Sequence, residues 1–265
     1  MDKKYYSKDK FVNGCLLLID KPLNWTSFQI VNKIKWLIKK KFDLQKIKVG
    51  HAGTLDPLAR GLMIIVSGKK TKQIKSYQNL DKKYVGTFML GSTTKSYDLE
   101  TPINKIYNVD HISSKELNEV KKNFLGVIKQ TPPIFSAIKK NGKRLYEYAR
   151  KNEKVLISER EIEIRKLEFE IENFPEIKFI VECSKGTYIR SLVHDIGKSL
   201  KSGAHLTSLS REKIGDYSLK DAMSIDHFEK KLKFWYLIFK KKPKTASHIF
   251  HTFNKNYKWS IVAFY

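Results

Sequence analysis

The segment Gly50-His51-Ala52-Gly53-Thr54-Leu55-Asp56-Pro57-Leu58-Ala59-Arg60-Gly61 runs directly into the apolar string Leu62-Met63-Ile64-Ile65-Val66. The string reads as a buried strand, and the glycines and proline before it favour a stiff loop over regular structure. A rigid loop set against a core strand holds a side chain in fixed geometry. Asp56 is the only carboxylate in that loop, and Pro57 pushes its backbone out of the helical region. Glycines at 50, 53 and 61 allow tight turns and close approach of a ligand. On spacing alone, the segment reads equally well as a plain connector between a helix and a strand.

The rest of the chain supplies several further strands. Gly14 to Asp20 is an apolar run of strand length, expected to be buried on both faces. Lys83–Leu90, Glu161–Ile171, Ile177–Cys183 and Leu206–Ile214 also read as strands, with a hairpin turn at Asn173 to Glu176. Helices are fewer. Thr26 or Ser27 caps one whose apolar residues Ile30, Val31, Ile34, Leu37 and Ile38 recur with the helical period. Ser113-Ser114-Lys115-Glu116 is a capping box opening a second, which Gly126 ends. Ile189, Leu192, Val193, Ile196 and Leu200 form the stripe of a third, with Thr187 as its cap. Ser92 to Tyr97 reads as a loop. Strands outnumber helices without strict alternation, which predicts an α+β fold around a mainly antiparallel sheet rather than a doubly wound parallel one.

Length and charge set further bounds. The 265 residues suffice for one large domain or two small ones. The net charge of +25, from 52 basic and 27 acidic residues, points to a polyanionic partner, most simply nucleic acid. Only seven of the basic residues are Arg, so a lysine-rich composition accounts for part of the excess. No apolar run approaches the roughly 18–20 residues that cross a bilayer, and residues 1–10 read as a basic arm without a signal peptide. A cytoplasmic location is therefore expected. Cys15 and Cys183 lie far apart in apolar runs, as buried thiols do.

Gln130 to Arg150 opens on Pro132-Pro133 and interleaves five cations with aromatic rings. That is the composition of a loop and helix lying on a nucleic-acid backbone, although an amphipathic surface helix has the same pattern. The seven histidines show no ligand spacing with Cys, Asp or Glu, so no metal site is expected. No nucleotide-binding glycine loop is present. What remains is Asp56, the aromatic residues Tyr84 and Tyr188, and Arg190. An ionised aspartate acts as nucleophile or base without a cofactor, and an arginine beside it keeps it ionised.

Six stretches now carry a resemblance. Gly50–Gly61 resembles the catalytic loop of the TruB family of tRNA pseudouridine synthases. Gly14–Pro22 resembles that family's first strand with its Asp-Lys-Pro. Asp81–Tyr84 resembles the segment of the active-site tyrosine, and Pro132–Arg150 the RNA-clasping thumb. Cys183–Arg190 resembles the segment of the active-site arginine, and Gly203–Arg211 the last sheet strand. The match runs in order from about residue 12 to 228. It implies the pseudouridine synthase fold, a central mainly antiparallel mixed sheet flanked by helices and loops. It also implies isomerisation of uridine to pseudouridine at position 55 in the tRNA T-loop, with no cofactor.

The resemblance implies a role for each candidate. Asp56 is the nucleophile, Tyr84 stacks on the base and takes the proton from carbon 5, and Arg190 pairs with Asp56. His51 fills the space left by the flipped-out base. Tyr188 and Leu209 line the uracil pocket. Lys21 contacts the active-site region or the RNA backbone. Residues 1–230 form the catalytic domain with a thumb at about 130–152. Residues 231–265 form a basic aromatic tail without a regular period, too short for a full PUA domain. Tyrosine is common in the family where Phe135 stands, and aspartate where Lys95 stands. The expected partner is tRNA; no membrane or protein partner is implied, so a monomer is expected. Two other readings remain open: a non-catalytic tRNA-binding or folding protein on the same scaffold, and the same chemistry on a guided RNA.

Overall fold

The computed structural model describes residues 6–240, with the backbone alone for 234–240. The first half comprises α1 (Lys8–Asn13), β1 (Leu16–Lys21), α2 (Ser27–Phe42), β2 (Val49–His51), β3 (Ala59–Ser67), a 3-10 turn (Gly68–Gln73), α3 (Ile74–Asn79) and β4 (Lys82–Leu90). Then come β5 (Ser92–Thr94), β6 (Ile103–Ile106), α4 (Ser114–Asn123), β7 (Gly126–Gln130), β8 (Lys139–Lys140), β9 (Lys143–Arg144) and α5 (Leu145–Arg150). The last part holds β10 (Arg160–Asn173), β11 (Glu176–Cys183), α6 (Ile189–Ser199), β12 (Ala204–Ile214), β13 (Tyr217–Ser218), a 3-10 turn (Leu219–Asp221) and α7 (Ile225–Lys240).

Nine strands make one sheet in the order β1-β3-β12-β4-β11-β10-β7, with β2 added to β3 and β13 to β12. Every pairing is antiparallel except β3 with β12, which is parallel over Ala59–Gly61 and Leu209–Arg211. The fold is therefore α+β around a mainly antiparallel mixed sheet. The string Leu62–Val66 is apolar throughout because β3 separates two apolar layers. Met63 and Ile65 face the main core, while Leu62, Ile64 and Val66 face a smaller cluster with Ile214.

Helix α2 follows from its sequence in detail. Thr26 caps it, with Gln29 closing the capping box, and the five predicted stripe residues are all buried. Other expectations need correction. The run at 14–20 is not buried equally on both faces: β1 alternates, with Leu17, Ile19 and Lys21 inward and Leu16 and Leu18 half-buried against the smaller cluster. Residues 1–5 of the expected arm lie outside the described residues, and from Lys8 the chain forms α1, where Phe11 is buried and Tyr6 stacks on it. Ser92–Thr94 pairs with Ile103–Ile106 instead of forming a loop. Gly126, expected only to end a helix, opens an edge strand. Thr187 does not cap α6; its hydroxyl donates to the Ser184 carbonyl, and Tyr188 holds the cap position without a side-chain bond.

The predicted boundary at 230/231 falls inside α7. Phe228 and Leu232 of that helix are buried, so regular structure continues past residue 231. Residues 241–265 of the expected tail lie outside the described residues. Among the described residues no helix is long and apolar enough to cross a membrane.

Candidate active site

The loop between β2 and β3 leads into the start of β3, where that strand runs parallel to β12. Asp56 lies in a narrow cleft lined also by Leu58, Ala59, Asp98, Leu99 and Leu206–Leu209. The loop is tied down locally. Ser27 Oγ donates to the Leu55 carbonyl at 2.9 Å and accepts from the Leu55 amide at 2.8 Å. The start of α2 therefore fixes the residue before the carboxylate.

Arg190, in the first turn of α6, reaches the cleft from the other side. Its Nε donates to Asp56 Oδ2 at 2.8 Å and lies 3.6 Å from Asp98 Oδ2. One terminal nitrogen donates to the Ser96 carbonyl at 3.0 Å and the other to the Phe135 carbonyl at 2.9 Å. Burial, the largest single influence, opposes the charge; Asp56 and Asp98 outweigh it, and the pKa of Arg190 is raised. The guanidinium thus stays charged inside the protein.

Tyr84, on β4, is buried, and burial pushes its hydroxyl pKa up. The Arg211 guanidinium works in the opposite direction. Leu209 lines the cleft beside Asp56. His51, on β2, accepts the Gly53 amide at Nδ1 at 3.2 Å. Burial and the nearby Arg211 charge both lower its pKa, which favours the neutral ring. Tyr188 is gripped by Gln130, whose side chain accepts the Tyr188 amide at 2.8 Å and donates to its carbonyl at 3.1 Å. Arg160 lies over the Tyr188 ring, 5.0 Å from its centroid.

Lys21 packs against the Asp56 loop from inside the protein. It is fully buried, and its ammonium donates to the carbonyls of Pro22, Trp25 and Pro57. It supports the loop from within and offers the RNA backbone no charge. Burial lowers its pKa to about 8.

Reading the sequence also missed residues. Asp98 is buried beside Arg190 and lies just past the stretch Ser92–Tyr97 that reads as a loop in the sequence. Gln130 was read only as the start of the thumb, and Arg211 only as part of the last strand. The buried cation Arg190 was the available signal for Asp98, since such a charge needs more than one partner.

Comparison with known proteins follows from this geometry. Residues 39–189 match the model of the TruB family pseudouridylate synthase N-terminal domain, and residues 190–242 that of the tRNA pseudouridylate synthase B C-terminal domain. A protein of Flavobacterium johnsoniae named tRNA pseudouridine synthase B is 54% identical over 226 residues, covering 85% of this chain and 99% of that one. This chain belongs to the TruB family. A TruB relative of the same name from Phocaeicola vulgatus is 51% identical over 218 residues, covering 82% of this chain and 93% of that one.

Among solved structures, a chain of a Cbf5-Nop10-Gar1 complex matches with a TM-score of 0.62 and 26% identity. A chain of an H/ACA ribonucleoprotein bound to a substrate RNA containing 2'-deoxyuridine shares the fold, with a TM-score of 0.61 and 24% identity. This chain spans only 56% of each of those two. The two TruB models meet at Arg190, yet β12 from the second pairs with β3 and β4 from the first. They describe parts of one sheet.

Proposed function

We propose that this protein is a tRNA pseudouridine synthase that isomerises the uridine at position 55 of the T-loop. The observation that carries the reading is the Asp56–Arg190 pair: a carboxylate presented in a cleft and held by a buried guanidinium. The family supports it, since the chain is 54% identical to a protein named tRNA pseudouridine synthase B but only 26% identical to the chain of the Cbf5-Nop10-Gar1 complex. That difference favours tRNA over a guided RNA.

Asp56 is the nucleophile. Its carboxylate attacks the target nucleotide, the glycosidic bond breaks, the uracil turns, and the ring rejoins the sugar through carbon 5. The proton lost from carbon 5 is matched by one gained on the ring nitrogen released from the sugar, so the step is an isomerisation without external reagent. Tyr84 stacks on the base and takes the carbon 5 proton. Arg190 holds the Asp56 carboxylate in place and aimed. Leu209 and Tyr188 line the uracil, and His51 occupies the space left when the base flips out. The thumb at about 130–152 presents Lys139, Lys140, Lys143, Arg144 and Arg150 to the T-arm backbone.

The test is incubation of the full chain with a T-arm minihelix and, separately, with a ribosomal RNA fragment of equal length, followed by mass-spectrometric mapping of pseudouridine. Product confined to the T-loop uridine is expected. Product only in the ribosomal fragment overturns the substrate, and tRNA binding without product supports the non-catalytic binder.

A further inference from the structure

We propose that Arg211 is a positioning residue that locks the nucleophile's loop to Tyr84 and so sets the geometry between Asp56 and the base-stacking ring. The proposal rests on the catalytic reading of Asp56 and Tyr84 above. Arg211 lies in β12 between β3 and β4 and is 1% exposed. Its Nε donates to the Leu62 carbonyl at 2.8 Å, and its terminal nitrogens donate to the carbonyls of Gly53 at 3.1 Å and Thr54 at 3.4 Å. These carbonyls lie on both sides of Asp56 in the chain. One guanidinium thus fastens the entry and the exit of the loop.

The same residue is the direct cross-strand partner of Tyr84. Side chains opposite each other in an antiparallel pair share a face and approach closely. The groups facing the Tyr84 hydroxyl are Arg211 from β12, Cys183 from β11 and Asp56 from the loop. Lys21 and Lys82 add their charges around Arg211.

Stability does not account for an arginine here. Among the described residues Arg211 forms no ion pair, and a buried charge without a counter-ion is costly where an apolar side chain of similar volume is not. The planar fork reaches several acceptors in fixed directions, which a lysine's point charge does not. Strand β3 packs tightly against the Arg211 backbone. A Cβ on Gly61 would lie 2.6 Å from the Arg211 carbonyl oxygen, and one on Gly53 would lie 3.5 Å from a guanidinium nitrogen. Both glycines have positive φ, at 108° and 140°. The close approach expected of a ligand at Gly61 is made by β12 itself.

The experiment uses full-length Arg211→Lys and Arg211→Met, with Asp56→Asn and Tyr84→Phe as controls. It reads the single-turnover rate of pseudouridine formation against pH, tRNA affinity and the melting temperature. Both Arg211 variants are expected to bind tRNA as the wild type does and to turn over about a hundred-fold more slowly, the scale of an ångström of misplacement. In Arg211→Met the rate profile is also expected to move to higher pH, because the cation that offsets burial at Tyr84 is gone. A folded Arg211→Lys with wild-type rate overturns the proposal, as does a defect in affinity alone. If Arg211→Met does not fold, Arg211→Lys decides on rate and affinity. Full activity in Asp56→Asn or Tyr84→Phe would instead overturn the site reading beneath it.

Discussion

Arg190 Nε donates to Asp56 Oδ2 at 2.8 Å, and the two side chains differ in exposure, 4% for Arg190 and 36% for Asp56. The guanidinium is fixed by the carbonyls of Ser96 and Phe135 and by Asp98, while the carboxylate is offered to the cleft. A buried, fully engaged cation holds a partly open anion, which suits a nucleophile that must stay ionised while a substrate reaches it.

Arg190→Lys is expected to fold and bind tRNA but to lose about a hundred-fold in single-turnover rate, because an ammonium does not reproduce the fork that reaches these acceptors. Arg190→Met leaves Asp98 buried without its cation and is expected to cost about 3–5 kcal/mol of stability. Rapid-quench kinetics on the first and chemical denaturation of the second check both. A wild-type rate for Arg190→Lys would contradict the orienting role.

Gln130→Ala removes both grips on the Tyr188 backbone. Two part-buried groups then lose their partner, at up to about 1–3 kcal/mol each where water does not replace it. The variant is expected to melt lower and to turn over more slowly, as Tyr188 and the root of the thumb loosen together. Gln130→Glu keeps the acceptor for the Tyr188 amide and is expected to fall between the two. Melting curves and single-turnover rates rank the three proteins.

Much of this site's scaffold could be read from the chain, and the reason is locality. Helix α2 was legible because its capping box and apolar stripe lie within one segment. Strands β3, β4, β11 and β12 were legible because each carries a long apolar or alternating run. The edge strands β6 and β7 were not, since they are short and most of their residues are exposed. The parallel pairing of β3 with β12 joins residues about 150 positions apart, and no local pattern encodes it. Asp98, Gln130 and Arg211 stayed hidden for the same reason: each acts through partners distant in sequence. Asp56, Tyr84 and Arg190 were singled out through residue chemistry and family resemblance together.

Asp195 offers a test of burial through pH. Burial raises its carboxyl to about 6, above the ordinary value of 3.8. The folded chain therefore binds more protons than the unfolded chain between those values, so this group's contribution to stability falls as pH rises through about 6. Asp195→Asn removes the titration. It is expected to melt above the wild type at pH 7, with the gap closing near pH 4. Melting temperatures across that range check the sign, and a gap that widens on acidification would contradict it.

Gly61→Ala places a Cβ against the Arg211 backbone at a φ of 108°. Strands β3 and β12 must part, at a cost of about 1–3 kcal/mol from strain and overpacking. Denaturant midpoints measure it. An unchanged midpoint would show that the close approach is not needed.

The most direct test of the whole account is Asp56→Asn. The substitution keeps the shape of the side chain and removes its charge, so Arg190 loses the Asp56 anion but keeps Asp98, while the loop, Lys21 and the thumb are unaltered. Pseudouridine formed in a T-arm substrate is measured beside tRNA affinity. The account predicts near wild-type affinity with no product, and full product from Asp56→Asn would contradict it.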